Sequence, residues 1–209
     1  MCGRYRLSRR KQLVEEYFGA VSDEYEWSPR YNVAPSQAIL TIRRDAREPV
    51  RKLSTMRWGL IPSWSNDPSI GYRTINARSE TVATTASFRE PFKSQRCLVP
   101  ADGFYERKRE GKIKQPHCFE VNSGELFAFA GLWDRWRNPQ GELIESCTIL
   151  TTTPNSLLAD IHDRIAGNSK AGKSRSLVGP MSQQHILRVR DAKILRPQVD
   201  APLSSEHES

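Results

Sequence analysis

Hydrophobic and polar positions divide the chain into an early helical stretch and a long β-rich body. Leu13, Val14, Tyr17 and Phe18 fall at the spacing of one helix face, which predicts an amphipathic helix capped by Ser8 and ended by Gly19. After it the period changes. Ala38 to Arg43 and Val50 to Trp58 read as strands joined by a polar connection, and Cys97 to Val99 as a short apolar strand ending at Pro100. Hairpin signals follow from Gly103: Phe104 to Lys108, a turn at Gly111, His117 to Val121, a turn through Asn122-Ser123-Gly124, then Leu126 to Leu132. Asn138-Pro139-Gln140-Gly141 marks another turn before a strand over Leu143 to Thr152, and Asn155 opens a short helix toward His162. The pattern predicts an α+β fold: a curved, antiparallel, barrel-like β-core with peripheral helices.

The alternation lapses after Ile165. Ala166 to Ser176 carries Gly, Ser, Lys and Arg where a closing strand needs apolar residues, and reads as a flexible basic linker. Beyond it, His185 to Leu195 is the one stretch with strand character, and Pro202 to Ser209 reads as disordered. The 209 residues therefore divide into a domain over 1–165, large enough for a substantial core, and an atypical basic C-terminal tail over 166–209.

Composition narrows the function classes. A mean hydropathy of -0.62 and the lack of any apolar run near the roughly 20 residues of a membrane span exclude a helical membrane protein. The N-terminus has basic residues but no apolar stretch behind them, so it does not read as a signal peptide, and a cytoplasmic or nuclear location is expected, nucleoid-associated in a bacterium. A formal charge of +8, from 32 Lys and Arg against 24 Asp and Glu, favours a polyanionic partner such as nucleic acid. Cys2, Cys97, Cys118 and Cys147 are scattered without zinc spacing, so neither a metal nor a cofactor is expected. The last three sit in apolar, strand-like runs and read as small buried hydrophobes. Cys2 alone does not.

Removal of Met1 would leave Cys2 with a free α-amine and a thiol, a bifunctional nucleophile whose groups titrate at about 8 and 8.5 when unperturbed. Its best partner is an aldehyde. The amine forms a Schiff base, the thiolate adds to it, and a five-membered thiazolidine closes.

Six segments mix polar groups with turn residues: Met1-Cys-Gly-Arg-Tyr5, Arg30-Tyr-Asn-Val-Ala-Pro35, Trp58-Gly-Leu-Ile-Pro-Ser-Trp64, Ile75-Asn-Ala-Arg-Ser-Glu-Thr81, Ala101-Asp-Gly-Phe-Tyr-Glu106 and Ile161-His-Asp-Arg164. In this order, from Cys2 to about Arg164, they resemble the SOS-response-associated peptidase (SRAP) family, whose members crosslink covalently to abasic sites in single-stranded DNA. The ring-opened abasic site is an aldehyde, which is what the Cys2 aminothiol captures.

The resemblance implies a set of roles. Asn76 would orient Cys2 through an amide that donates and accepts, although an Asn there also suits a turn. Arg4 and Arg78 look like phosphate clamps, against the plainer reading of solvated surface arginines. Glu106 and His162 resemble the family's proton-transfer pair; a strand Glu would otherwise face solvent, and a His at a helix end would otherwise be structural. Trp58 and Trp64 are candidates for stacking on unpaired bases, Trp64 being the more DNA-facing and Trp58 the more core-like. Asn32 and Pro35 would shape the pocket wall beside Cys2. His117, His185 and His207 match no motif.

Three functions are then in competition: abasic-site capture through Cys2 with β-elimination (lyase) activity as a corollary, a thiol peptidase whose minimal act is removing its own Met1, and a non-catalytic single-stranded DNA binder. Single-stranded DNA with abasic sites is the expected partner, and a monomer the expected state. After Arg164 the family continues with a Pro-containing apolar strand, a helix and late Val-Ser and Val-Asn elements, whereas Ile165-Ala-Gly-Asn-Ser-Lys-Ala stands here. The change has the character of a frame shift or an alternative C-terminus, and leads to an expectation of poor folding or lowered activity.

Overall fold

The computed structural model describes residues 3–22, 28–44, 49–110, 113–121, 124–152, 165–166, 168–169 and 192–195. In chain order these form β1 (Tyr5–Leu7), α1 (Lys11–Phe18), β2 (Ala20–Ser22), β3 (Arg30–Val33), β4 (Ala38–Arg44), β5 (Arg51–Trp58), a 3-10 turn (Pro68–Tyr72), β6 (Asn76–Arg78) and α2 (Arg89–Ser94). The hairpin half follows as β7 (Arg96–Ala101), β8 (Gly103–Glu110), β9 (Ile113–Val121), β10 (Phe127–Arg137) and β11 (Leu143–Thr152). Short strands β12 (Ile165–Ala166), β13 (Asn168–Ser169) and β14 (Ala192–Leu195) complete the described chain.

The strands pair into two sheets among the described residues. One runs β14-β9-β8-β1-β3, and the other β12-β11-β10-β7-β4-β5-β2. A parallel pairing of β5 with β11, at Ser146 opposite Arg57 and Cys147 opposite Trp58, closes the path β11-β10-β7-β4-β5 on itself. The expected barrel-like α+β fold is therefore present. Most neighbours are antiparallel as the hairpin signals require, but β2 and β6 also join β5 and β11 in parallel.

The alternation of each strand sends its apolar residues to a shared interior. Tyr5, Leu7, Phe104, Phe119 and Val121 from the first sheet meet Ile39, Met56, Trp58, Val99, Phe127, Phe129 and Ile149 from the second in one buried cluster. A second cluster of Leu60, Ala77, Val82, Phe88, Leu132 and Leu150 lies under the segment that carries α2.

Helix α1 starts later than its sequence predicts. Arg10, not Ser8, occupies the N-cap position, because the Ser8 N–H and hydroxyl both donate to Asp102 Oδ2 at 2.7 Å. Val14 and Phe18 face the core while Leu13 and Tyr17 stay exposed, and Gly19 ends the helix in the left-handed region at φ 56° as expected. The helix expected from Asn155 and most of the linker expected over 166–176 lie outside the described residues. Within the tail, β12 pairs with β11, β13 with β10, and β14, inside the His185 to Leu195 stretch, with β9.

Candidate active site

Strand β1 sets the geometry. Tyr5 stands opposite Phe104 and Arg6 opposite Gly103 on β8, and the Tyr105 N–H donates to the Arg4 carbonyl at 2.9 Å. Gly3 precedes Arg4 and Glu106 follows Tyr105, so both flank this bond. Glu106 shares a strand face with Phe104, so it points inward and is buried, at 5% exposure. The solvent-facing alternative for this carboxylate is thereby excluded. Cys2, the residue before Gly3, and His162 lie outside the described residues.

Asn76 and Arg78 alternate with buried Ala77 and so share one face of β6. Asn76 is half-buried and stands opposite Ile149 on β11, whereas Arg78 is exposed. The preceding carbonyl, of Ile75, accepts from the Ile149 N–H at 3.1 Å and from the Trp58 indole N–H at 2.9 Å. Trp58 in turn packs on Tyr5, ring centroids 5.5 Å apart. A short chain of contacts thus ties the Asn76 strand to the strand that leads to the N-terminus.

That arrangement corrects the expectation for Trp58. Its side chain is fully buried and has no ring face left for a DNA base. Trp64 differs: it is 58% exposed, on a loop fixed by the Ser63 N–H on Asp134 Oδ2 at 2.8 Å and by the Trp136 indole N–H on the Ser65 carbonyl at 2.6 Å.

The loop after β3 is bound to the same wall. Ser36 donates its N–H to the Trp58 carbonyl at 2.8 Å, and the Trp58 N–H returns to the Gln37 carbonyl at 2.9 Å. Half-buried Pro35 enters this turn and Ser36 adopts φ 70° within it. Arg4 donates to Asn32 Oδ1 at 3.0 Å, so β1 and β3 bring these two exposed side chains together.

The sequence reading missed a charged anchor behind β1. Arg6 donates from Nε to Asp102 Oδ1 at 2.9 Å and from a terminal nitrogen to Glu120; Asp102, fully buried, also holds Ser8. A Cβ at Gly103 would stand 2.8 Å from Arg6 Nε, so a larger residue there would displace the Arg6 side chain. Asp102 and Gly103 belong to a quoted motif, yet nothing local signals that their partner lies far earlier in the chain. Exposed Tyr31 was likewise missed; its carbonyl accepts the Tyr105 hydroxyl at 2.8 Å.

The three described thiols are poor nucleophiles. Burial pushes Cys97 up to about 12, and burial, with the neighbouring Cys97, raises Cys147 well above its ordinary value. Cys118 is raised as well, by burial first and by Glu120 and Asp102, against the opposing pull of Arg6. Among the described residues no cluster of three or more His, Cys, Asp or Glu is arranged to hold a metal, and no helix is long and apolar enough to cross a membrane.

Residues 1–176 match the family model of the SOS response associated peptidase (SRAP). The chain belongs to the SRAP family. An SRAP relative, the abasic site processing protein YoqW of Bacillus subtilis (strain 168), is 49% identical over 168 residues, covering 79% of this chain and 74% of the relative. The abasic site processing protein HMCES of Xenopus tropicalis is 37% identical over 172 residues, covering 69% of this chain and 51% of its own length. The SRAP chain is also similar to the crystal structure of a protein from Bacteroides thetaiotaomicron, with 28% identity, a TM-score of 0.83, and coverage of 94% and 93% of the two chains.

Proposed function

We propose that this protein processes abasic sites in single-stranded DNA by trapping the sugar aldehyde on Cys2, with Met1 removed. The α-amine adds to the aldehyde carbon, the carbinolamine loses water to give a Schiff base, and the Cys2 thiolate adds to that carbon to close a thiazolidine. The observation that supports the reading is the Tyr105 N–H bond to the Arg4 carbonyl, which holds the chain two residues after Cys2 against the residue next to the buried Glu106. The abasic-site names of relatives as similar as 49% support it.

Each remaining residue has a task. Glu106 gives a proton to the leaving hydroxyl of the carbinolamine, and His162 serves the sugar hydroxyl as the ring opens. Asn76 orients the N-terminal residue, while Arg4 and Arg78 hold backbone phosphates. Trp64 offers a face to an unpaired base, worth about 1 to 3 kcal/mol; Asn32 and Pro35 line the wall beside Arg4. Residues 1–165 carry this chemistry and 166–209 form the tail. β-Elimination from the Schiff base, releasing the strand, is the minor outcome once the thiolate has closed the ring.

The test is a denaturing gel of the processed chain with an abasic-site oligonucleotide. A heat-stable adduct formed without borohydride and lost in Cys2→Ala is expected. No adduct from the wild-type chain would sink the proposal, and turnover of peptides would replace it with the peptidase reading.

A further inference from the structure

His117 matches none of the motifs that brought the site residues together, yet the fold sets it beside one of them. It stands directly opposite Glu106 in the β8–β9 ladder, next to the Phe104 and Phe119 pair. Residues so opposed have Cβ atoms about 4.5 to 5.5 Å apart and project from the same side of the sheet. That side faces inward, since Phe104 and Phe119 stack there in the core with centroids 5.2 Å apart. His117 itself lies 6.5 Å from the Phe119 ring.

Both imidazole nitrogens are buried, and among the described residues neither has a hydrogen-bond partner. A buried, unsatisfied polar group is rare enough in folded proteins to require a reason, because a phenyl ring would fill such a place without the desolvation cost. Packing alone is therefore a poor account of a histidine here. Arg6, Asp102, Cys118 and Glu120 form their own network on the opposite face, and the Tyr105 hydroxyl is committed to Tyr31. On the inner face, Glu106 from β8 stands opposite His117 and the next same-face position of the ladder sets Lys108 opposite Gln115, while Tyr5 from β1 is buried in the same core.

We infer that His117 is the proton-exchange partner of Glu106. This rests on Glu106 acting as the acid of aldehyde capture. When Glu106 gives its proton to the departing hydroxyl, water leaves and a carboxylate remains. The His117 imidazolium returns a proton to that carboxylate, directly or through one water, and recovers its own from solvent. No electrons change hands. His117 acts through Glu106 and is a positioning and proton-holding residue, not a group that touches the sugar.

Two readouts on the processed chain decide it. First, the His117 ring protons are followed by NMR titration in wild type and Glu106→Gln. Removing the group that exchanges a proton with it should move the His117 midpoint by at least about half a unit, since two groups in proton exchange titrate as a coupled pair. Second, single-turnover adduct formation with the abasic-site oligonucleotide is measured across pH for wild type, His117→Phe, His117→Gln, Glu106→Gln and the Glu106→Gln/His117→Phe double variant. His117→Phe, which keeps the packing against Phe119, and His117→Gln should each slow the reaction about tenfold and change the shape of its pH profile, while adding nothing on top of Glu106→Gln. A midpoint unmoved by Glu106→Gln, a wild-type rate and pH profile in either His117 variant, or an additive loss in the double variant overturns the inference. If the wild-type chain forms no adduct, it is the proposed function that fails, and the titration alone then decides whether the two groups share a proton.

Discussion

Tyr5 and Trp58 pack obliquely in the core, ring centroids 5.5 Å apart at 60°, and the indole of Trp58 reaches past them to the Ile75 carbonyl at 2.9 Å. The tryptophan therefore joins the strand that leads to Cys2 to the strand that begins with Asn76. Trp58→Phe keeps an aromatic ring but loses the N–H, and should slow adduct formation while leaving affinity for intact single-stranded DNA unchanged. Trp58→Ala should instead destabilise the fold by about 3 to 5 kcal/mol. A Trp58→Phe variant that weakens DNA binding and leaves the adduct rate alone would return this residue to the DNA surface.

Asp102 is the buried acceptor that anchors β1 from behind through Arg6 and Ser8. Replacing it with Ala leaves a partly buried guanidinium short of a partner, at a cost of about 3 kcal/mol. Glu120→Gln should cost less, because Arg6 then keeps Asp102. Urea denaturation of the two variants checks the order, and a larger loss for Glu120→Gln would contradict the assignment of Asp102 as the anchor.

Thiol reactivity should separate the cysteines. Cys97, pushed up to about 12 by burial, and Cys147, raised well above its ordinary value by burial, hold almost no thiolate at neutral pH. Brief alkylation near pH 7.5 followed by peptide mass mapping should label the N-terminal cysteine first, and Cys97 and Cys147 only after denaturation. Rapid native labelling of Cys147 would show that the core around it is open.

Glu145 links β4 to the β10–β11 hairpin, accepting from Arg43 and Arg135 at 2.8 Å each. Burial works against its charge, but the two guanidinium groups outweigh it and the carboxyl sits below its ordinary value. A depressed carboxyl contributes stability above its unfolded value, near 4.3, and loses it as pH falls through the folded value. Glu145→Gln should therefore cost about 1 kcal/mol at pH 7, with the difference from wild type closing below about pH 4. An equal deficit at pH 7 and pH 3 would mean that the charge pairing is not the source.

The long strands were legible because alternation and turn residues act locally: β4, β5 and the run from β8 to β11 lie close to where the pattern places them. β1, β3 and β6 were not legible. Sequences such as Arg30-Tyr-Asn-Val33 and Asn76-Ala-Arg78 are short and polar, and become strands only by pairing with distant partners. The same holds for Ser8, a good cap by type that Asp102 recruits from 94 residues away. At the site, motif order pointed to Glu106 and Asn76. Which face each occupies, that Trp58 is buried, and that His117 opposes Glu106 depend on register across the sheets, which no local spacing encodes.

In the thiazolidine, the nitrogen and the sulfur of Cys2 are both bonded to one sugar carbon. Intact mass measurement of the product formed with an abasic-site oligonucleotide, followed by peptide mapping, tests this linkage most directly. The predicted product is the chain without Met1 plus the oligonucleotide less one water, with the modification confined to the peptide that begins at Cys2. An adduct on a lysine, or one that forms on a chain retaining Met1, would contradict it.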